Sequence, residues 1–273
     1  MISIIIVNYN SGELLRNCVA SIQKHLNQPC EIIIYDNHSD DGSLELLQSM
    51  NGDHGRIRIV RGEQNLGFAK ANNRAVEYAK GFFYHFLNPD MVINPSLNAD
   101  YEEILRTGKK AIFVNPLADD TGKVLKNRHL VPRVNNIIRR MLGSRRVAYW
   151  NLGASVIIHR DAFKAMGGWP EEYFMYAEDL DFFYTAFRKS IPVEYLKTPL
   201  IHIGKGVTHK IWSERERAAI IEQSFCKFYG KYHAGWEYLI IRPVQLFYIL
   251  FNETGSFLLY FQTFVKTLFK TRS

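Results

Sequence analysis

With 273 residues, 47% of them apolar and 22% charged, the chain has the composition of a globular protein and the length to bury a large core. This excludes a disordered chain or a small disulfide-stapled one. The net charge of +7 calls for an anionic partner, whether nucleic acid, a phospholipid surface or a phosphorylated substrate.

The chain opens on a strand-like run, residues 2–7, where a secretory signal would have basic, apolar and small-residue segments, so no such signal is expected. Residues 31–35 are a second short β-branched run. Between the two a helix opens at Ser11, a good N-cap, and carries Leu14, Leu15, Cys18, Val19 and Ile22 at the spacing of one helix face. The alternation continues with a helix over 43–50, a strand over 56–61, a helix over 69–79 and a strand over 82–87. Strands alternating with helices of this length predict an α/β fold with a mostly parallel sheet and right-handed crossovers. Further strands are predicted at 111–115 and 154–159, and a helix at 179–189. Residues 123–146 hold Lys123, Lys126, Arg128, Arg133, Arg139, Arg140, Arg145 and Arg146 and no acidic residue. From about Trp236 the chain turns aromatic and apolar with a few basic residues. Cys18, Cys30 and Cys226 are odd in number and without metal-ligand spacing, which predicts free thiols in a cytosolic protein.

The polar residues gather at strand ends. The first strand ends in Asn8-Tyr9-Asn10, the second in Asp36-Asn37-His38-Ser39-Asp40, and the fourth in Asn88-Pro89-Asp90. Three consecutive polar ends predict one crevice along the carboxyl edge of the sheet, where open α/β sheets bind their ligands. There Asp36 can accept a hydrogen bond from a base N–H, and Asn8 or Asn10 can reach base or ribose. Turn and cap chemistry is the alternative for any one of these clusters taken singly. The segment Asn65-Leu66-Gly67-Phe68-Ala69-Lys70-Ala71-Asn72-Asn73 brings small residues into a helix, which lets backbone approach a ligand. It lacks the glycine spacing of a dinucleotide fingerprint or a P-loop. Glu178-Asp179-Leu180-Asp181 opens a helical pattern, which also suits the positive N-terminal end of a helix dipole.

In this order, Val7-Asn8-Tyr9-Asn10, the stretch from Asp36 to Ser43, Asn65-Leu66-Gly67-Phe68 with Asn72-Asn73, and Leu87-Asn88-Pro89-Asp90 resemble the motifs of family-2 glycosyltransferases of the GT-A fold. Gly167-Gly168-Trp169, Phe174-Met175-Tyr176, Glu178-Asp179-Leu180-Asp181 and His202-Ile203-Gly204 continue the resemblance, which covers roughly residues 1–210. The branch it resembles most is the rhamnosyltransferase-like one that builds bacterial surface polysaccharide. The resemblance implies a GT-A nucleotide-diphospho-sugar transferase fold and inverting transfer from a nucleotide-diphosphate sugar. It assigns donor binding to Asn8, Asn10, Asp36, Asn65, Gly67, Lys70, Asn73 and Asn88. Asp90, with His202 as a further ligand, would hold Mg²⁺ or Mn²⁺ against the donor pyrophosphate. Asp179, beside Glu178, would take the proton of the acceptor hydroxyl. His202 could equally be an ordinary structural histidine, whereas His129, His159 and His209 read as structural or surface. Two positions depart from the family pattern. Trp169-Pro170-Glu171 stands for Phe-Asp-Glu, and Thr185 occupies the place of an arginine, with Arg188 nearly one turn later. Both bear on acceptor contacts, and Trp169 reads as core, pocket wall or a ring for sugar stacking.

These features predict a catalytic domain over 1–232, with a nucleotide-sugar half at 1–115 and an acceptor half at 116–232, followed by a C-terminal helical extension at 233–273. The favoured donor is dTDP-rhamnose and the favoured acceptor a lipid-linked saccharide, with a UDP-hexose as the alternative donor. A sugar nucleotidyltransferase would need a glycine-rich loop with a basic residue directly after the first strand, and residues 8–13 do not supply it. A nucleic-acid-binding module would explain the charge but not carboxylates in a groove, so no nucleic acid is expected. Residues 123–146 are a solvated loop or a site for the acceptor's pyrophosphate. In the tail, runs 239–251 and 257–269 flank a glycine-containing turn at 252–256, and neither offers the ~20 continuous apolar residues of a spanning helix. Leu258, Phe261, Val265, Leu268 and Phe269, with Lys266, Lys270 and Arg272 alongside, predict a helix lying on an anionic membrane surface at the inner face of the cell membrane. Packing on the catalytic domain or a homodimer contact is the alternative use of that face.

Overall fold

Ile and Val are stiff at χ1 and pack on both faces of a pleated sheet, and the N-terminal runs form strands accordingly. The computed structural model describes residues 1–48, 57–204, 212–252 and 257–270. The first half alternates strictly: β1 (Ile2–Asn8), α1 (Glu13–His25), β2 (Cys30–Asp36), α2 (Ser43–Gln48), β3 (Ile57–Arg61), α3 (Phe68–Val76) and β4 (Phe83–Leu87). It continues through β5 (Met91–Val92), α4 (Leu97–Thr107), β6 (Ile112–Val114), β7 (Leu117–Ala118), β8 (Arg128–Leu130), α5 (Val134–Met141), β9 (Tyr149–Asn151), β10 (Ser155–His159) and α6 (Arg160–Met166). The last part holds α7 (Glu178–Arg188), β11 (Val193–Tyr195), β12 (Leu200–His202), α8 (Glu214–Lys231), α9 (Gly235–Asn252) and α10 (Phe257–Lys270). The predicted ends at residues 49–50 and 56, the turn at 253–256 and His209 lie outside the described residues.

A 7-stranded sheet runs in the order β11-β6-β10-β4-β1-β2-β3. β1, β2, β3 and β4 are mutually parallel, while β10 enters antiparallel between β4 and β6. The sheet is mostly parallel and covered on both faces, so its central strands read as unbroken apolar runs. Ile2, Ile4 and Ile6 pack with Leu15, Val19 and Leu97 on one face, and Ile5 and Phe86 pack with Ala71, Phe163 and Phe182 on the other. A polar group sits at the centre: His85 is fully buried, with its ring nitrogens 2.6 Å from Tyr101 Oη and 2.8 Å from Ser155 Oγ. Burial pushes it down to about 3, so it is held neutral. The three cysteines are free, as expected.

The C-terminal region folds back on the domain. Phe228, Tyr229, Tyr238, Ile241, Leu246 and Phe264 share a third core cluster with Tyr173, Ala177 and Leu180, and Val265 and Leu268 pack against it. Of the α10 face expected to lie on a membrane, Val265 and Leu268 are thus turned to the protein, the alternative use named above. Phe261 stays exposed at 42%. Arg272 and the side chains of Leu258, Phe269 and Lys270 lie outside what the structure describes. Among the described residues, no helix is long and apolar enough to cross a membrane.

A buried ion pair fastens α9 to α8. Arg242 donates from Nε to Glu222 at 2.8 Å and from Nη2 to the same carboxylate, and Tyr238 Oη donates to it at 3.0 Å. Glu222 is wholly buried and Arg242 nearly so. Removing one partner of such a pair strands the other charge in a low-dielectric interior. Glu222→Ala is expected to destabilise the protein by about 3–5 kcal/mol in denaturant unfolding, while the double replacement of Glu222 and Arg242 by Met recovers most of that loss. A single-variant loss below ~1 kcal/mol would mean the pair is solvated.

Candidate active site

The site is built by strand register. β1 and β2 pair in parallel with Asn8 beside Asp36, and the two side chains meet at once. Asn8 Nδ2 donates to Asp36 Oδ1 at 2.8 Å and to Ser39 Oγ at 3.0 Å, and Ser39 N–H donates to Asp36 Oδ2 at 3.2 Å. Asn10, at φ 51°, exchanges hydrogen bonds with Asp40: its Nδ2 donates at 2.8 Å, and Asp40 N–H donates back at 2.9 Å. Asn37 Nδ2 donates to Asn65 Oδ1 at 2.8 Å, and Asn37 Oδ1 accepts from Leu66 N–H at 2.8 Å. Three polar strand and loop ends thus hold one another before any ligand arrives.

Next to them lies a cleft of about 320 Å³, whose walls include Asn65, Asn88, Asp90, Glu178, Asp179 and His202. Antiparallel pairing of β12 with β5 sets His202 opposite Met91. That register puts His202 Nε2 3.3 Å from Asp90 Oδ2. Asp90 Oδ1 is buried and has no partner. An orphaned carboxylate oxygen beside an imidazole nitrogen fits a hard divalent cation that takes its other ligands from diphosphate oxygens and water. Among the described residues no group of three or more His, Cys, Asp or Glu is gathered to hold a metal by itself.

Glu178 and Asp179 enter the same cleft from the start of α7. Tyr176 and Ala177 both adopt the left-handed region at φ 64°, which costs on the order of 1–3 kcal/mol for each such non-glycine residue. The turn aims both carboxylates inward. Burial, and after it the neighbouring Asp179 charge, push Glu178 well above the usual carboxylate range. Its Oε2 has no partner. Asp179 is raised to about 6 by burial, opposed by hydrogen bonds from the backbone N–H groups of Leu180 and Gly153. Both adjacent carboxyl groups are thus raised by their surroundings.

α8 props this turn from behind. Ser224 Oγ donates to Met175 O at 2.9 Å, and Lys227 Nζ to Glu172 O at 3.0 Å. Asp181 points away from the cleft and is fully buried, accepting from Lys231 Nζ at 2.6 Å and from Tyr232 Oη. Lys231 also pairs with Glu172 at 2.7 Å, and Tyr232 Oη lies 3.2 Å from Thr185 Oγ1. Lys231, from α8, is thus the cation that pairs with Asp181, one turn before Thr185 on α7.

Of the eight expected donor-binding residues only Asn65 and Asn88 line this cleft; Asn8 and Asn10 are taken up by the pairs with Asp36, Ser39 and Asp40, and the other four sit elsewhere. Asp36 is buried and faces a separate recess with His38, Ser39, Arg61 and Gly62. Gly67, at φ 78°, leaves no room for a side chain because a Cβ would run into Phe174 O, and the carbonyl of Phe174 accepts from Phe68 N–H at 3.1 Å. The close approach there is to the protein's own backbone. Asn73 clamps the following loop, donating to Trp169 O and accepting from Trp169 N–H, each at 2.9 Å. Lys70 is exposed on α3 and does not line the cleft. Trp169 is core, 1% exposed and stacked on Phe182 with ring centroids 4.1 Å apart. His129 stacks on Trp150, and His159 caps α6. Asn37 was not expected in the site; its place directly after Asp36 at a strand end was the available signal. Tyr9 and Trp212 also line the cleft, and nothing local in the sequence marked Trp212.

Residues 3–166 match the model of glycosyl transferase family 2. The EpsH protein of Bacillus subtilis (strain 168), named as a glycosyltransferase, is 27% identical over 74% of this chain and 60% of its own length. This chain thus spans less than two thirds of that relative. An N-acetylglucosaminyl-diphospho-decaprenol L-rhamnosyltransferase of Mycobacterium tuberculosis (strain ATCC 25618 / H37Rv) is 24% identical over 66% of this chain and 68% of its own. Among solved structures, the mannosyltransferase PcManGT from Pyrobaculum calidifontis in complex with GDP-Man and Mn²⁺ superposes with a TM-score of 0.58 at 18% identity, covering 83% of this chain and 63% of that one. S. aureus TarS 1-349 in complex with UDP-GlcNAc gives 0.59 at 20% identity, covering 82% and 66%. These likenesses identify the fold as GT-A-like.

Gly67→Ala separates the two uses of that glycine. It is expected to lower unfolding stability by roughly 1–3 kcal/mol through backbone strain alone, and by more through the clash with Phe174. Unchanged stability with lost nucleotide binding would instead make Gly67 a ligand contact.

Proposed function

The chain belongs to glycosyl transferase family 2, and we propose that it transfers a sugar from a nucleotide-diphosphate donor to a hydroxyl of a lipid-linked saccharide, with inversion at the anomeric carbon. The observation that carries this reading is a buried carboxylate poised near neutrality, Asp179, in one cleft with Asp90 and His202. The acceptor hydroxyl gives its proton to Asp179 as its oxygen bonds to the anomeric carbon. The bond from that carbon to the diphosphate breaks at the same time, and the nucleotide diphosphate leaves with the electron pair. One base and no covalent intermediate give inversion, by the same geometric logic as in inverting glycosidases. Glu178, raised by burial and by its neighbour's charge, presents a buried oxygen without a partner to the same cleft.

Asp90 and His202 would hold Mg²⁺ or Mn²⁺, which would neutralise charge on the leaving diphosphate. Asn65 and Asn88 line the donor side, and Asp36 with Asn8 and Asn10 forms the edge suited to base and ribose. Likeness to the mycobacterial L-rhamnosyltransferase favours dTDP-rhamnose as donor and a polyprenyl-diphosphate saccharide as acceptor. The likeness to TarS bound to UDP-GlcNAc favours a UDP-hexose as the second reading. A lipid-linked acceptor would bring the enzyme to the inner face of the cell membrane as a peripheral protein.

Two measurements on Asp179→Asn test the base. Release of nucleotide diphosphate should fall by roughly 10²–10⁴ while donor binding persists. In the wild type, kcat/KM should climb with pH through about 6 and then level, following deprotonation of Asp179, and the variant should lack that limb. The linkage has the opposite sign for stability. A carboxyl raised in the folded state contributes stability that is fully present below its unfolded pKa and is lost as pH rises through about 6. Asp179→Asn should therefore be more stable than the wild type at pH ~8, by on the order of 3 kcal/mol, with the gap closing below pH ~4. If Glu178→Gln were inactive and Asp179→Asn active, the two roles would be reversed.

A further inference from the structure

Among the described residues, exposed large apolar side chains gather on α5, with the turn after it, and on α9. On α5 and the turn after it, Ile138 is 47% exposed, Met141 80% and Leu142 79%. They sit among Arg139, Arg140, Arg145 and Arg146, all exposed. None of these four arginines forms an ion pair with a carboxylate among the described residues, although Arg146 also approaches the Phe187 ring. On α9, Trp236, Leu239, Ile240 and Val244 are 55%, 48%, 55% and 67% exposed, recurring at the spacing of one helix face.

The two rows start from the same joint. Glu237 of α9 accepts from Arg133 Nε at 2.8 Å and from Val134 N–H, the first residue of α5, at 3.0 Å. Both charged side chains of α9 are consumed internally, Glu237 by Arg133 and Arg242 by Glu222. The outer row of α9 therefore carries no charge, while the neighbouring α5 supplies only positive ones. Exposed large apolar side chains ringed by unpaired arginines match neither a solvated loop nor a nucleic-acid groove. They match the depth profile of a membrane interface, with apolar groups in the acyl boundary and guanidinium groups at the phosphates. The position is also apt: β9, which closes the α5 segment, runs directly into Leu152 and Gly153 of the cleft wall.

We infer that the exposed apolar residues of α5 and α9, with Arg139, Arg140, Arg145 and Arg146, form the surface by which this protein docks on an anionic phospholipid bilayer. This inference rests on the reading of the chain as a membrane-peripheral transferase and gives that reading an address. The basic stretch is accordingly assigned to lipid headgroups and not to the acceptor's pyrophosphate.

The test is sedimentation of the full chain with vesicles of equal parts phosphatidylglycerol and phosphatidylcholine, and with phosphatidylcholine alone. The wild type should pellet with the anionic vesicles only, and release as salt rises from ~0.1 M to ~1 M and the screening length falls from about 10 Å to 3 Å. Replacing Ile138, Met141 and Leu142 together by Gln should weaken binding roughly tenfold or more. Each of the four arginines replaced by Gln should cost roughly fivefold. Phe261→Gln on α10 should change little. Equal binding of the wild type and the α5 variants would overturn the inference, as would loss of binding in Phe261→Gln alone. So would a wild type that ignores anionic vesicles, including one whose α5 face proves by light scattering to join two copies of the chain. Thermal stabilisation by nucleotide sugars is read on the same samples. Vesicle binding without any donor binding would fail the transferase reading and leave the docking surface standing, and the reverse would do the opposite.

Discussion

Two adjacent carboxyl groups are buried at the start of α7, and much of the molecule is arranged around that burial. Taking them out of water raises both, and the charge of Asp179 raises Glu178 further. Holding them there requires a turn with two consecutive left-handed residues, Tyr176 and Ala177. Such a turn persists only where its surroundings over-determine it. Here Ser224 and Lys227 of α8 tie down the carbonyls of Met175 and Glu172, and Lys231 with Tyr232 anchors the third acid of the motif, Asp181. On the other side Phe174 O is fixed by Phe68 N–H at the mouth of α3. The start of the helix that carries Glu178 and Asp179 is thus clamped from both sides.

The remaining polar edge divides by function according to strand register. The in-register pairing of β1 with β2 preassembles Asn8, Asp36 and Ser39, and the antiparallel pairing of β12 with β5 brings His202 to Asp90. Neither arrangement depends on a flexible side chain finding its partner, because backbone ladders fix both. Asp90 Oδ1, Glu178 Oε2 and, at the end of β1, Asn8 Oδ1 are buried without a hydrogen-bond partner. A buried polar atom left open is costly, and Asp90 and Glu178 line the same cleft.

Much of this architecture was legible in the sequence, for identifiable reasons. Ile2–Asn8 and Cys30–Asp36 are buried on both faces, so their β-branched runs are continuous and their polar ends abrupt. Asp90, Asp179 and His202 were legible as a set because ordered motifs, more than any one spacing, pointed to them. What was not legible depends on contacts distant in sequence. Gly67 and Asn73 look like donor-binding residues in their motif, yet they are shaped by Phe174 and Trp169, about a hundred residues away. The pairing of Lys231 with Asp181 is likewise invisible until α8 packs on α7. Helix α4, with Leu97, Tyr101 and Ile104 buried and Gly108 in the left-handed C-terminal position, carried an ordinary helical pattern that the strand-end reading passed over. In the tail, apolar spacing on α10 was real, but spacing alone does not distinguish a face turned to lipid from one turned to Phe228 and Tyr238.

On the proposed reading, in which Asp90 and His202 hold the cation and the nucleotide diphosphate completes its ligands, cation and nucleotide bind as linked ligands, each raising the other's affinity by the same factor. Electron paramagnetic resonance titration of Mn²⁺ against the full chain, with and without dTDP or UDP, measures that factor directly. The predicted result is weak Mn²⁺ binding by the protein alone and at least roughly tenfold tighter binding when the nucleoside diphosphate is present, with the enhancement lost in Asp90→Asn. Mn²⁺ affinity that ignores the nucleotide and survives Asp90→Asn would contradict the assignment of this cleft to a metal-held nucleotide diphosphate.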